Sequence, residues 1–80
     1  MLTILRANGF RFVIIPDDHN PPHVHIYKAE TELIINLGIG SDEPAIRNVY
    51  RMTNRDIGIA FALTEIHNDK FLSQWQEIQQ

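Results

Sequence analysis

One segment of the chain determines how the predicted sheet is arranged: Asp17-Asp18-His19-Asn20-Pro21-Pro22-His23-Val24-His25-Ile26. Three of the four histidines lie within seven residues of one another, on either side of two consecutive prolines. If a strand begins after the prolines, its side chains alternate between the two faces of a sheet. Val24 and Ile26 then enter the core, and His23 and His25 share the opposite face. The sequence therefore predicts a pair of imidazoles on a side of the sheet that solvent can reach.

The residues before this strand form a stiff connection, here called the proline-histidine loop (residues 16–22). Asn20 precedes a proline and is therefore biased towards extended geometry, while Pro21 and Pro22 fix their own φ angles. Asp17 and Asp18 lie in the same loop. We assign these two aspartates and the two prolines a structural role in shaping it.

Four further strands are expected. Asn8-Gly9 is typical of a tight type I′ hairpin turn, which would join a strand over residues 3–7 to one over residues 10–15. Strands over residues 23–28 and 32–37 follow the loop, and residues 45–51 can form a fifth strand. Together they predict an antiparallel sheet of four to five strands.

The rest of the chain has a helical pattern. Thr53, followed three residues later by Asp56, resembles a helix-capping arrangement, and we expect a helix from there to about His67. Asn68-Asp69 is expected to end this helix and to cap a second one. The predicted fold class is α+β: one domain over residues 1–80, with a β-rich part (1–51) and a C-terminal helical hairpin (53–80) packed on the sheet.

The composition and the net charge of the chain exclude or disfavour several kinds of functional site and partner. The 80 residues include no cysteine, which excludes disulfides, thiolate metal sites and a cysteine nucleophile. We find neither a signal peptide nor an apolar segment of membrane-spanning length, and we expect a cytoplasmic protein without a membrane partner. The net charge of −3 does not favour non-specific attraction to nucleic acid. Because so short a chain buries little surface, we expect a homo-oligomer or a heteromer.

One interpretation of the histidines is a transition-metal site. His23 and His25 can converge on one ion, for which Zn²⁺ is the first candidate, and His19 is the nearest third ligand. An extended proline-rich segment, however, places His19 roughly 12 Å from His23, and Asp17 and Asp18 meet the same obstacle.

A second interpretation is acid–base catalysis that needs no cofactor. Two histidines can accept and donate protons, as metal-independent cleavage of an RNA phosphodiester requires. His23, His25 and His19 are then the candidate catalytic residues. A cation for the phosphate would come from a neighbouring strand, and the candidates are Arg11, Lys28, Arg47 and Arg51.

A third interpretation is structural. The histidines would fasten the proline-histidine loop through hydrogen bonds to backbone carbonyls and to Asp17 or Asp18, and the ordered surface would contact another protein. His67 is expected to be structural. Trp75 and Tyr50 are expected to lie in the core.

Four segments of the chain together resemble a family of very small bacterial proteins that is known only as a domain of unknown function: Gly9-Phe10-Arg11-Phe12, residues 18–25 with their DHxPPHVH pattern, residues 52–56 and Phe71-Leu72-x-x-Trp75. The resemblance spans nearly the whole chain, and its characteristic residues are His19, Pro21, Pro22, His23 and His25. Such proteins are often encoded beside another small protein, in suspected type II toxin-antitoxin pairs. The resemblance does not say which member of such a pair is the toxin. Together with the His23/His25 pair it leads us to expect a toxin-like component that is covered by a cognate partner and whose histidine face binds or cleaves RNA. A non-enzymatic protein-binding module is the alternative.

Overall fold

The structure is a computed structural model that describes residues 1–79, and over these residues it contains five strands and one helix. The strands are β1 (Leu2–Ala7), β2 (Phe10–Ile14), β3 (His23–Lys28), β4 (Thr31–Asn36) and β5 (Ala45–Tyr50), and the helix is α1 (Asn54–Ile78). The sheet order is β1-β2-β3-β4-β5, and every neighbouring pair is antiparallel. The overall α+β class agrees with the prediction, and the five antiparallel strands fall within the expected four to five, but the expected helical part is not found, as described below.

The turn between β1 and β2 has the backbone that its sequence predicts. Asn8 and Gly9 both have positive φ, at 52° and 82°. A type I′ turn needs this conformation at both central positions, and Asn-Gly adopts it at low cost. The local sequence thus determines the hairpin that places β2 beside β3.

The helix packs on one face of the sheet, over β2, β3 and β4. Phe12 from the sheet and Phe71 from the helix lie at the centre of this interface, fully buried with their ring centroids 5.5 Å apart. Strand alternation adds six more buried side chains to the same cluster: Phe10, Ile14, Val24, Ile26, Leu33 and Ile35. Among residues 1–79, no helix lies on the opposite face, to which His25 points and which receives the proline-histidine loop.

The prediction of a helical hairpin was wrong, because one helix of 25 residues runs from Asn54 to Ile78 without a break. Its buried side chains, Ala60, Thr64, Phe71 and Trp75, have a spacing that keeps them on one helical face, so a single stripe contacts the sheet. Asn68 does not cap a second helix, because its side chain is bonded to the backbone of Gly38. Within residues 1–79, the helix is not apolar enough to cross a bilayer.

The start of the helix agrees with the capping prediction. The hydroxyl of Thr53 accepts a hydrogen bond from the backbone N–H of Asp56 at 3.2 Å. This bond satisfies one of the N–H groups that a helix leaves unpaired in its first turn. The chain therefore turns from β5 into α1 at the position that the sequence predicts.

Strand β5 is an edge strand, and all six of its residues are exposed. Tyr50 is 54% exposed, so the expectation that it belongs to the core was wrong, whereas Trp75 is buried at 4% as expected. Tyr50 is directly opposite Glu32, and both lie on the face of the sheet away from the helix. On the other face, the helix packs on the three middle strands and leaves Ile46 and Val49 of β5 at 47% and 42% exposure.

Candidate functional site

The proline-histidine loop folds back towards the sheet instead of extending away from it. The backbone N–H of Asp18 donates to the carbonyl of Ile15 at 3.3 Å, and between them Asp17 has a φ of 62° in the left-handed region. This reversal carries the carboxylate of Asp18 to 2.8 Å from the ring of His23. The expectation that an extended loop keeps Asp18 away from His23 was therefore wrong, because the loop turns back.

The centre of the site is a cluster of Asp18, His23 and His25. The Oδ2 atom of Asp18 lies 2.8 Å from Nε2 of His23 and 3.1 Å from Nε2 of His25. The two imidazole centroids are 5.1 Å apart. Strand alternation thus brings His23 and His25 together, as predicted, and one carboxylate oxygen joins them.

The other nitrogen of each ring is also bound. The Nδ1–H group of His23 donates to the carbonyl of Pro21 at 2.8 Å, and Nδ1 of His25 lies 3.0 Å from Oε2 of Glu32. Glu32 belongs to β4, so β3, β4 and the loop all hold the pair. Sequence reasoning named Pro21 but missed Glu32, because its position beside His25 follows from the pairing of β3 with β4.

The cluster favours an ionised Asp18. Burial alone would raise the pKa of Asp18. Hydrogen bonds from His25, from the backbone N–H of His19 and from His23, together with the charge on His23, have the opposite effect. Their sum is larger, and the pKa of Asp18 is lowered to about 2. The site therefore presents a carboxylate anion to both imidazoles over the whole physiological pH range.

The two histidines are less accessible than predicted. His23 is 2% exposed and His25 is 9% exposed, so the expected solvent-facing pair is instead covered by the loop. The side chain of Asp18, at 24% exposure, is the part of the cluster that meets water. The Trp75 ring lies 5.1 Å from the His23 ring, which links the cluster to the end of the helix.

The remaining candidates of the proline-histidine loop are placed differently. The side chain of His19 is exposed, and only its backbone N–H takes part in the site, donating to Oδ1 of Asp18 at 2.9 Å. The structure does not bring the His19 ring to His23 and His25.

The other loop residues shape the connection. Asp17 lies exposed at the turn. The carbonyl of Pro22 accepts a hydrogen bond from the backbone N–H of Leu37, which connects the loop to the end of β4.

The four candidate phosphate ligands do not surround the histidines. Lys28 is bound to Asp56 at 3.1 Å and lies beside the helix start. Arg47 and Arg51 are exposed, within β5 and just after it. Arg11 connects to the pair through an aromatic ring, because its guanidinium lies 5.3 Å from the centroid of Tyr27, which stacks on His25 at 6.4 Å.

A feature that sequence reasoning missed crosses the same face of the sheet. Residues that are directly opposite one another on all five strands form one line, here called the cross-strand row: Arg6, Arg11, Tyr27, Glu32 and Tyr50. Directly paired residues share a face, and Tyr27 is two residues from His25, so the row and the histidines are on the same side. The signal lies in the strand register, which the sequence alone does not give.

The comparisons with known proteins give one match. The model of a family described as a domain of unknown function, DUF4160, matches residues 9–76. No curated protein and no solved structure matches the chain. The matched range covers the hairpin strand β2, the proline-histidine loop and most of the helix.

Proposed function

We propose, since the chain belongs to the DUF4160 family of domains of unknown function, that it is the toxin-like member of a bacterial toxin-antitoxin pair and that the open face of its sheet binds RNA. The observation that carries the proposal is the cross-strand row. It supplies two arginines and two tyrosines on a face that the described part of the chain does not cover with a helix. In this proposal the protein acts in the cytoplasm.

The row has the chemistry that a single-stranded RNA needs. Arg6 and Arg11 are directly opposite each other on β1 and β2, so their guanidinium groups can bind neighbouring phosphates. Tyr27 and Tyr50 offer rings on which bases can stack, and base–aromatic stacking tolerates any sequence. Burial and the carboxylate of Glu32 raise the pKa of Tyr27 above its ordinary value, so its phenol carries no charge that would repel a phosphate.

The local charge pattern is compatible with an anionic ligand although the net charge is −3. The one acidic member of the row, Glu32, is occupied by His25 at 3.0 Å, and Asp18 is bound by both histidines. Arg6 and Arg11 have no carboxylate within ion-pair distance among residues 1–79. Their positive charge is therefore available to a phosphate.

We assign binding of RNA, rather than metal-independent cleavage, to this face. Both Nε2 atoms of the histidine pair are bound to Asp18, and the rings are buried. A general acid or base must reach the proton that it transfers, and these nitrogens have their hydrogen-bonding positions filled. Cleavage by the pair would need Asp18 to move away first.

The test is the affinity of the purified protein for a fluorescent single-stranded RNA in the presence of EDTA. Arg11→Ala is expected to weaken RNA binding and to reduce the slope of log affinity against log salt concentration by about 1. Tyr27→Ala is expected to weaken RNA binding by about fivefold or more. Arg55→Ala removes an exposed arginine from the helix and is the matched control. Equal affinities of all four proteins for RNA would overturn the proposal.

A second candidate function is a protein-binding module without enzymatic or RNA-binding activity, and the exposed strand β5 favours it. An edge strand with unpaired backbone groups and exposed Ile46 and Val49 is a surface that a cognate small protein can extend or cover. Co-expression with the neighbouring open reading frame distinguishes the two candidates. Stable co-purification together with absent RNA binding would favour the module.

A further inference from the structure

The Asp18, His23 and His25 cluster has the geometry of a metal-binding site. The three candidate ligand atoms, Oδ2 of Asp18 and Nε2 of each histidine, all lie within 4.8 Å of one another. A tetrahedral ion with bonds of about 2.0–2.2 Å holds its ligands roughly 3.3–3.6 Å apart. Small movements of the Asp18 side chain, which is attached to a loop, bring the three atoms to those separations.

The hydrogen bonds of the two rings determine which nitrogens face the cluster. A carbonyl oxygen only accepts, so Nδ1 of His23 must carry a proton towards Pro21. Both nitrogens of His25 face carboxylates, Nδ1 that of Glu32 and Nε2 that of Asp18, and we assign the first proton of this ring to Nδ1. In a neutral imidazole the other nitrogen, Nε2, then has a lone pair and no proton.

With both rings neutral, the two Nε2 lone pairs would therefore point at an oxygen that also carries lone pairs. Such an arrangement requires positive charge between the three atoms, which either two additional protons or one divalent cation supplies. Two protons would create two imidazolium rings with centroids 5.1 Å apart, both largely buried. One divalent ion satisfies the same three atoms without that repulsion.

We propose that Asp18, His23 and His25 bind one divalent transition-metal ion, with Zn²⁺ as the first candidate. Two imidazoles and one carboxylate suit Zn²⁺ and related first-row ions, whereas Mg²⁺ and Ca²⁺ prefer oxygen ligands. The third ligand is Asp18 and not His19. Three protein ligands leave a fourth position, for water or another oxygen ligand, on the exposed side of Asp18.

The surroundings have the features that support metal-bound histidines. Ligand imidazoles usually donate their second N–H to a carboxylate or a backbone carbonyl, and Glu32 and Pro21 accept these bonds here. Asn36 pairs with His23 across β3 and β4, and its buried Oδ1 has no hydrogen-bond partner among the described residues. That oxygen can accept from a water on the ion.

The proposal is tested without RNA, so its outcome is independent of the proposed RNA binding. Untagged protein is treated with EDTA and titrated with ZnCl₂ by calorimetry and with CoCl₂ by visible absorption. Trp75 is the only tryptophan, and its ring is 5.1 Å from His23, so bound Co²⁺ should quench its fluorescence and Zn²⁺ should reverse the quenching. One ion per chain is expected, and MgCl₂ should have no effect.

Matched variants identify the ligands. Asp18→Asn keeps a side chain that can hydrogen-bond to the rings and is expected to lower the Zn²⁺ affinity by at least about 100-fold, while Glu32→Gln should lower it by about 10- to 100-fold. His19→Ala removes an exposed imidazole from the same loop and should leave the affinity unchanged. Circular dichroism of each variant establishes that it is folded.

Three results would overturn the proposal. The first is binding of less than about a tenth of an equivalent of Zn²⁺ and Co²⁺ by the wild-type protein. The second is an Asp18→Asn variant that is folded and binds Zn²⁺ as tightly as the wild type. The third is a loss of affinity in His19→Ala that equals the loss in Asp18→Asn. If Asp18→Asn does not fold, Glu32→Gln and the Trp75 quenching decide between the outcomes.

Discussion

The side chain of Asn68 exchanges two hydrogen bonds with the backbone of Gly38, each 2.8 Å long. Its Oδ1 accepts from the N–H of Gly38, and its Nδ2 donates to the carbonyl of the same residue. The pair joins the middle of the helix to the segment that leaves β4, over 30 positions of sequence. It adds a polar connection between the helix and the sheet to the apolar contacts of the core.

Removal of this pair should weaken the fold. Asn68→Ala leaves the two backbone groups of Gly38 without their partner and is expected to cost about 1–2 kcal/mol of unfolding free energy. Asn68→Asp should cost more, because a carboxylate would face the Gly38 carbonyl. Urea denaturation monitored by circular dichroism measures both. Asn48→Ala, an exposed position on β5, is the control and should change stability by about 0.5 kcal/mol or less. A wild-type midpoint for Asn68→Asp would contradict this account.

The ionisation of Asp18 should make the free energy of unfolding depend on pH. Its folded pKa of about 2 lies below its ordinary value of 3.8, so its contribution is complete above pH 3.8 and is lost as the pH falls through 2. Water reaches this carboxylate, and the contribution is therefore about 1 kcal/mol. Urea midpoints of EDTA-treated protein at pH 6, 4, 3 and 2 test it. The Asp18→Asn protein should show a smaller decline between pH 4 and 2. Parallel declines in the two proteins would refute the assignment.

Asp17 is held in a conformation that glycine adopts more easily. Its φ is 62° and its side chain is exposed, so Asp17→Gly is expected to leave stability unchanged or to raise it by up to about 1 kcal/mol. Asp42→Gly is the control, because Asp42 is exposed but does not have a positive φ, and there the added chain flexibility should lower stability by a few tenths of a kcal/mol. Thermal melts should give Asp17→Gly a midpoint at or above that of the wild type and Asp42→Gly a midpoint below it.

The exposed edge strand should matter for partner binding and little for folding. Ile46→Lys places a charge at a position that is 47% exposed, so the unfolding free energy should change by about 0.5 kcal/mol or less. If the cognate protein covers β5, the affinity for it should fall by about tenfold or more in calorimetry. Ile66→Lys makes the same change on the helix, at 74% exposure, and should bind the partner normally. Equal affinities of the two variants would exclude β5 as the contact surface.

Much of the fold follows from local sequence. Alternation of apolar residues placed the strands to within about one residue, Asn8-Gly9 fixed the first hairpin, and Thr53 marked the start of the helix. These features depend on neighbours along the chain, which is why sequence patterns report them. The same alternation placed His23 and His25 on one face.

Features that depend on distant contacts were not predictable in this way. Asn68 looks like a helix end, but a partner 30 residues away occupies its side chain and the helix continues. The loop reversal that brings Asp18 to the histidines depends on the turn at Asp17. Glu32 and the cross-strand row depend on register. The centre of the site therefore had to be found from geometry, although two of its three members were named from the sequence.

Each strand of the sheet pairs only with the strand before it and the strand after it in the chain. Such contacts close short loops, and folds built from them assemble fast for their size. The sheet can grow hairpin by hairpin as the polypeptide emerges from the ribosome. The helix follows all five strands in the chain, so until its synthesis is complete the apolar face around Phe12 is open. Premature truncation before the helix would release a chain prone to aggregation.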